Sequence, residues 1–255
     1  MSNTCTNSNG SSFFFDVFQE KSRPRHATHE VHENLISPPL STFYDISVEV
    51  GTDKVFQHGY HFIYPTFLEK FRPLKFKLLE IGYYQGLSAN LWEKYFPQAE
   101  IYLIDKDIEL KSNRHQVIRA DQSNSEDLER IVKLLGSTKI IVDDGSHHPE
   151  HQYNTFLYLF KNLLEPGGVY IIEDTECNYW KSDSSIYGYT IGEFSAIEET
   201  KKFVDCINSE FSGKLNELEI SSMSYSQNCI IITKKNTEEI SFFNRKYRFP
   251  ENLKF

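Results

Sequence analysis

Cysteine is scarce and scattered: Cys5, Cys177, Cys206 and Cys229 form no CxxC pair in 255 residues. That argues against a disulfide framework and a thiolate metal site, and a reducing cytoplasm is the expected compartment. Positive charge is also short, with 27 Lys+Arg against 36 Asp+Glu and a formal charge of −9. No basic stripe is dense enough to follow a phosphate backbone, so nucleic acid is not an expected substrate. No apolar run approaches the roughly 20 residues of a membrane-spanning helix, and the N-terminal stretch lacks the basic and apolar regions of a signal peptide. The chain is expected to be soluble and intracellular. Asn9-Gly10-Ser11 fits the glycosylation pattern, but without a secretory signal it reads as chance.

What is present, 39% hydrophobic residues, suffices for one α/β core. Residues 1–12, rich in Ser, Asn and Thr, read as a disordered head. Residues 13–70 read as an arm with lid helices, 71–235 as the principal domain, and 236–255 as a tail. Phe13–Phe18, FFFDVF, is too apolar to stay solvated and is expected to dock on the main domain or on a second subunit of a homo-oligomer. Lys21–Pro39 reads as an extended arm, with His26, His29 and His32 forming a solvated face rather than a metal site. The tail Phe242–Phe255 carries several aromatics with Arg245, Lys246 and Arg248.

The chain is organised around Leu78–Ser88, LLEIGYYQGLS. Lys77–Ile81 is an apolar run suited to a buried strand. Gly82 allows a sharp turn, Gly86 a close approach, and helical spacing begins at Leu87, with Leu87, Leu91 and Trp92 on one face. Glu80, beside this turn, would repel a pyrophosphate but suits a cationic or hydroxyl-bearing cofactor. A second strand, Ile101–Asp105, ends in an acid placed to hold a ribose diol. Strand-end acids at Glu80 and Asp105, separated by one helix, resemble the class I S-adenosylmethionine-dependent methyltransferases. The implied fold is Rossmann-like: a mostly parallel seven-stranded sheet with helices on both faces.

Further along, Asp107–Asn113 reads as a short helix or turn, and His115–Arg119 as a third strand that leads to Asp121 and Gln122. These two suit the amino group and ring nitrogens of an adenine, or else belong to a helix cap that Ser123 or Ser125 completes. Lys139–Asp143 and Val169–Ile172 are the fourth and fifth strands, with a helix across Glu150–Leu164 between them. Tyr179–Tyr189 reads as a loop over the sheet edge, Ile191–Phe211 as helical, and Leu215–Met223 with Asn228–Thr233 as a closing strand pair.

Two acid pairs follow neighbouring strands, so Asp143, Asp144, Glu173 and Asp174 are expected to converge and to need a cation. Acid-only ligation favours Mg²⁺, with Mn²⁺ or Ca²⁺ as substitutes. His147, three residues after Asp144, is a candidate general base for a hydroxyl, or alternatively a metal ligand, and His148 competes for either role. Gly51–Tyr64 reads either as an active-site edge or as a helix capped by Thr52 or Asp53.

The motifs TDK with a following HGY, LLEIGYYQGLS, IYLIDKD, ADQS, VDDGSHHPEHQ and PGGVYIIEDTE occur in the order found in metal-dependent sugar O-methyltransferases. The chain resembles the mycinamicin/macrolide deoxysugar O-methyltransferase family from about Gly51 to about Trp180. One departure is Tyr84, where many methyltransferases have a glycine. The resemblance implies Asp144, Glu173 and Asp174 as metal ligands and His147 as base. It places Glu80, Gly82, Ser88, Asp105, Asp121 and Gln122 at the cofactor and brings Asp53, Lys54, His58 and Tyr60 to the active site; Gly86 and Asp143 are further cofactor candidates, and Lys54, His58, Tyr60, His148 and Tyr179 are the candidates for the acceptor side. The implied reaction is methyl transfer to a sugar-type hydroxyl. The alternatives are a catechol-like small-phenol or phosphate-type oxygen acceptor, or a non-catalytic S-adenosylmethionine-binding assembly protein.

Overall fold

Strand β1, Lys77–Ile81, lies at the middle of the sheet because it is apolar on both faces and pairs on both edges. The computed structural model describes residues 41–239; the head, the Phe13–Phe18 segment, the His-rich arm and the tail from Phe242 lie outside them. On one side β1 runs parallel to β2 (Glu100–Asp105), which runs parallel to β4 (His115–Arg119). On the other it runs parallel to β5 (Thr138–Asp143), followed by β6 (Leu164–Glu173). The closing pair β9 (Ile220–Ser226) and β10 (Cys229–Lys234) adds antiparallel strands beyond β6. Among the described residues the sheet has eight strands rather than seven, with β3 (Leu110–Lys111) at one edge of the order β3-β4-β2-β1-β5-β6-β10-β9. The extra one, β3, comes from the stretch read as a helix or turn and pairs antiparallel along the edge of β4. A separate two-stranded hairpin joins β7 (Ser185–Ile186) to β8 (Tyr189–Thr190).

Alternation along the strands sorts side chains into two layers. Leu78, Ile140, Val142, Val169 and Ile171 face a core shared with α1 (Phe43–Val50), α3 (Tyr64–Leu68) and α4 (Leu87–Tyr95). Leu79, Ile141, Tyr170 and Ile172 face a second core under α5 (Ser125–Leu135) and α6 (Pro149–Asn162). Among the described residues, no helix is long and apolar enough to cross a membrane. Cys177, Cys206 and Cys229 are free thiols.

Several local expectations need correction. Leu87 is not on the buried face: it is the exposed first residue of α4, and Ala89, Leu91, Trp92 and Tyr95 make the packing face. The cap of α5 is Asn124, whose side chain accepts from the Glu126 amide at 2.9 Å, while Ser123 is tied to Asp121. The helical stretch after Ile191 is three short helices, α7 (Ala196–Lys201), α8 (Phe203–Ile207) and α9 (Ser209–Ser212). Strand β9 starts at Ile220 because Asn216 folds the chain back, exchanging two 2.9 Å bonds with the Ile220 backbone.

Candidate active site

The carboxyl ends of β1, β5 and β6 carry acids that a single buried ammonium draws together. The Thr52 side chain caps the short helix α2 (Asp53–Phe56), whose Lys54 points under the sheet edge and is 1% exposed. Lys54 Nζ donates to Asp144 Oδ2 at 2.7 Å and to Glu173 Oε1 and Oε2 at 2.8 and 2.7 Å, and lies 3.6 Å from Glu80 Oε1. Burial alone would drive this ammonium toward neutrality, but Asp144, Glu173 and Glu80 hold its pKa well above the ordinary lysine value. Lys54, expected at the acceptor, is instead the internal counter-ion of the acid cluster. Tyr64 Oη completes it, donating to Glu173 Oε1 at 2.6 Å.

Asp174 turns the other way. Its backbone is left-handed, with φ +52°, and its Oδ1 accepts from Tyr60 Oη at 2.8 Å and Asn228 Nδ2 at 3.0 Å, with His58 Nδ1 at 3.3 Å. That leaves Oδ2 facing His147, whose Nε2 is 3.9 Å away. Asp144, His147 and Asp174 each offer a ligand atom, all within 4.8 Å of one another and all half-buried. Two carboxylates and an imidazole, open to solvent on one side, suit a hard divalent ion that keeps positions for water or substrate oxygens. Glu173 lies outside this trio, since both of its oxygens are taken up by Lys54 and Tyr64.

The expected convergence of four acids is therefore incomplete. Asp143 follows Ile141 on the opposite face of β5, where it is fully buried. It accepts from Gln122 Nε2 at 3.1 and 3.2 Å and from Tyr170 Oη at 3.3 Å, and burial pushes its carboxyl up to about 7. Gln122 spends its other end on the Ser146 amide, 2.6 Å from Oε1. Both side chains thus hold the Asp144–His147 turn in place, and their polar groups are already engaged.

The rest of the sheet edge is a cradle. A Cβ on Gly82 would sit 2.1 Å from the Asp144 carbonyl oxygen, at φ +95°. Gly86 begins α4 in the left-handed region with no side-chain cap, leaving that helix N-terminus bare. Glu80 is fully buried, accepts from Ser88 Oγ at 2.7 Å, and is raised to about 7 by burial against the pull of Lys54. Asp105 accepts from the Tyr83, Asp107 and Ile108 amides, and Asp121 from Ser123. The glycine turn and the Glu80, Asp105 and Asp121 acids follow successive strands along one edge, and this donor set fits an amino-acid-bearing nucleoside better than a dinucleotide.

His58 and Tyr60 line a neighbouring cleft of about 1000 Å³ together with Phe62, Tyr179, Tyr225 and Asn228. His148 is not one of the trio, and its Nε2 lies 3.0 Å from the Thr190 carbonyl oxygen. Asn228, legible in the sequence only as the start of a closing strand, holds Asp174 and accepts from the Glu176 amide at 2.8 Å. The signal was present as a short polar turn between two apolar strands, but nothing local connects it to Asp174.

No family model matches the chain. It is 32% identical over 152 residues to an 8-demethyl-8-alpha-L-rhamnosyl tetracenomycin-C 2'-O-methyltransferase of Streptomyces olivaceus, covering 56% of this chain and 40% of the relative. It is 35% identical over 136 residues to the mycinamicin VI 2''-O-methyltransferase of Micromonospora griseorubida, covering 49% and 33%. It is thus similar to part of each of these two O-methyltransferases. The chain spans less than half the length of these relatives. Among solved structures it is similar to the MycE methyltransferase of the mycinamycin biosynthetic pathway in complex with Mg and SAH, with TM-score 0.67 and 26% identity over 83% of this chain and 59% of that one. A second MycE complex, with Mg, SAH and mycinamycin VI, superposes with TM-score 0.66 at 26% identity, over 79% of this chain and 57% of that one. The Rossmann-like methyltransferase fold expected from the strand-end acids is borne out, and the MycE complexes hold the pair of groups expected from the sequence.

Proposed function

We propose that the chain is a divalent-metal-dependent O-methyltransferase that transfers the methyl group of S-adenosylmethionine to a hydroxyl of a sugar, glycan precursor or glycosylated small molecule. The observation that carries this reading is the Asp144–His147–Asp174 trio, with ligand atoms within 4.8 Å of one another, beside the Gly82 cradle. Asp144 and Asp174 would hold the ion; Glu80, Ser88, Asp105 and Asp121 would hold the cofactor about the glycine turn. When bound, the ion lowers the pKa of a hydroxyl beside it and the sulfonium supplies an activated methyl group.

The chain's own work is positioning and proton transfer. His147 takes the hydroxyl proton as general base, and Asp174 Oδ2, 3.9 Å from its Nε2, stabilises the imidazolium that results. Tyr60 and Asn228 fix Asp174 in the orientation this requires. Lys54 offsets part of the charge of Glu80, Asp144 and Glu173, leaving a net negative site that attracts a dication. Cytoplasmic location, homo-oligomeric assembly and the absence of a nucleic-acid partner belong to the same reading.

The test is a mass-resolved product assay with S-adenosylmethionine, Mg²⁺ and a panel of methyl pyranosides and phenols, with and without a chelator. Methylated sugars that disappear on chelation are expected. Full turnover in the chelator, or turnover of phenols alone, contradicts the reading. The proximity of His147 to both carboxylates favours a second reading, in which it is a metal ligand. His147→Ala separates the two: loss of a base lowers turnover about 10²–10⁴-fold with metal affinity retained, whereas loss of a ligand weakens metal binding and is reversed by excess Mg²⁺ or Mn²⁺.

A further inference from the structure

The hairpin β7–β8 turns through Tyr187 and Gly188, with Ser185 paired to Thr190 and Ile186 to Tyr189. Both turn residues have positive φ, +48° and +87°, as in a type I′ turn, where Asn-Gly is the favoured pair. A bulky aromatic side chain in the left-handed region is strained. Packing does not explain its presence, because Tyr187 is 63% exposed. His147, Asp174 and Asn228 share this unusual backbone, with φ of +53°, +52° and +61°.

The hairpin is anchored through β8. His148 Nε2 lies 3.0 Å from the Thr190 carbonyl oxygen. The Tyr189 ring stands edge-on to His151 at 4.6 Å and to His148 at 5.9 Å, and Lys106 Nζ lies 5.7 Å from its centroid. These contacts hold the tip over the turn that carries His147. The Tyr187 ring centroid lies 5.7 Å from that of His147, inclined at 49°.

We infer that Tyr187 is a specificity-determining residue for the acceptor: its ring is the platform on which the C–H face of a pyranose rests while one of that sugar's hydroxyls lies at His147. This rests on methyl transfer to a sugar as proposed above. A pyranose presents axial hydrogens on one face and hydroxyls around its rim. A tyrosine offers an apolar body with a polar tip, matching both. The ring is largely exposed and is inclined to the imidazole rather than stacked on it, so a sugar resting on the ring lies beside the base that would accept the proton. Ring and base together fix the sugar's height and tilt over Asp144 and Asp174.

The experiment compares the wild-type chain with Tyr187→Phe and Tyr187→Asn in the presence of S-adenosylhomocysteine and Mg²⁺. The probe is methyl α-L-rhamnopyranoside, followed by saturation-transfer NMR and titration; turnover of the same sugar by the wild type is measured separately. Tyr187→Asn restores the favoured turn pair, so its melting temperature should hold or rise, and affinity for S-adenosylhomocysteine should not change. Sugar binding should survive in Tyr187→Phe and weaken roughly tenfold or more in Tyr187→Asn. Equal binding in all three proteins, or no binding to the wild type, overturns the inference. Binding that depends on the ring, in a wild type that methylates neither this sugar nor the panel, upholds the platform and overturns the methyltransferase reading instead.

Discussion

Lys54 Nζ and Asp144 Oδ2 lie 2.7 Å apart, and through that contact an N-terminal helix of four residues joins the turn after β5. The same ammonium reaches Glu173 and Glu80. Removing it leaves buried carboxylates without a counter-charge. Lys54→Met is expected to cost about 3–5 kcal/mol, read from chemical denaturation. Adding Glu80→Gln to Lys54→Met should recover part of the loss. Strict additivity of the two substitutions would show that the residues do not interact.

Asn228→Asp replaces an amide donor to Asp174 Oδ1 with a second carboxylate at about the same place. Metal affinity should fall roughly 10–100-fold, the range for an outer partner of a ligand, as measured by calorimetry with Mn²⁺. Asn228→Gly keeps the left-handed backbone and should fall in the same direction. Unchanged affinity in both variants would show that Tyr60 alone suffices to orient Asp174.

Gly82→Ala would place a methyl group 2.1 Å from the Asp144 carbonyl oxygen at φ +95°. The backbone conformation alone costs about 1–3 kcal/mol, and the clash must also push the two strand ends apart. A lower melting temperature and loss of S-adenosylmethionine binding are expected together. A variant as stable as the wild type would show that the two turns separate freely.

His151 supplies a pH dependence. Burial, with the neighbouring His148, holds its pKa below the ordinary 6.5, so the unfolded chain takes up that proton first as pH falls. The stabilisation is complete above 6.5 and is lost as pH drops through 6.5 toward the folded value. Between about pH 7.5 and about 5.5, the wild type should lose more melting temperature than His151→Gln. Parallel losses in the two proteins would exclude His151 as the source.

The strands and the acids that end them were legible because a central parallel strand must be apolar on both faces, and a polar residue at its end stands out. Asp105 and the Asp144–His147 turn belong to that class. The face taken by Asp143 was also legible: it shares the parity of Ile141, opposite to Val142, so it could not converge with Glu173. Lys54 was not legible. TDK reads equally well as a solvated helix start, and only tertiary packing of α2 puts its ammonium among carboxylates. Tyr187 was hidden for a related reason, since Tyr-Gly is a poor turn pair and the two-residue strands beside it carry almost no periodic signal.

Strand β10 runs antiparallel to β6, which brings the turn before it, and with it Asn228, to the carboxyl edge of the sheet. The donor that fixes Asp174 thus arrives 54 residues later in the chain. Tyr60 bonds both Asp174 Oδ1 and the Asn228 carbonyl oxygen, so it too gains its full set of partners only once that last hairpin docks. The ion-binding geometry proposed above thus depends on a hairpin distant in sequence: the pairing of the parallel strands does not involve it, whereas the orientation of Asp174 does.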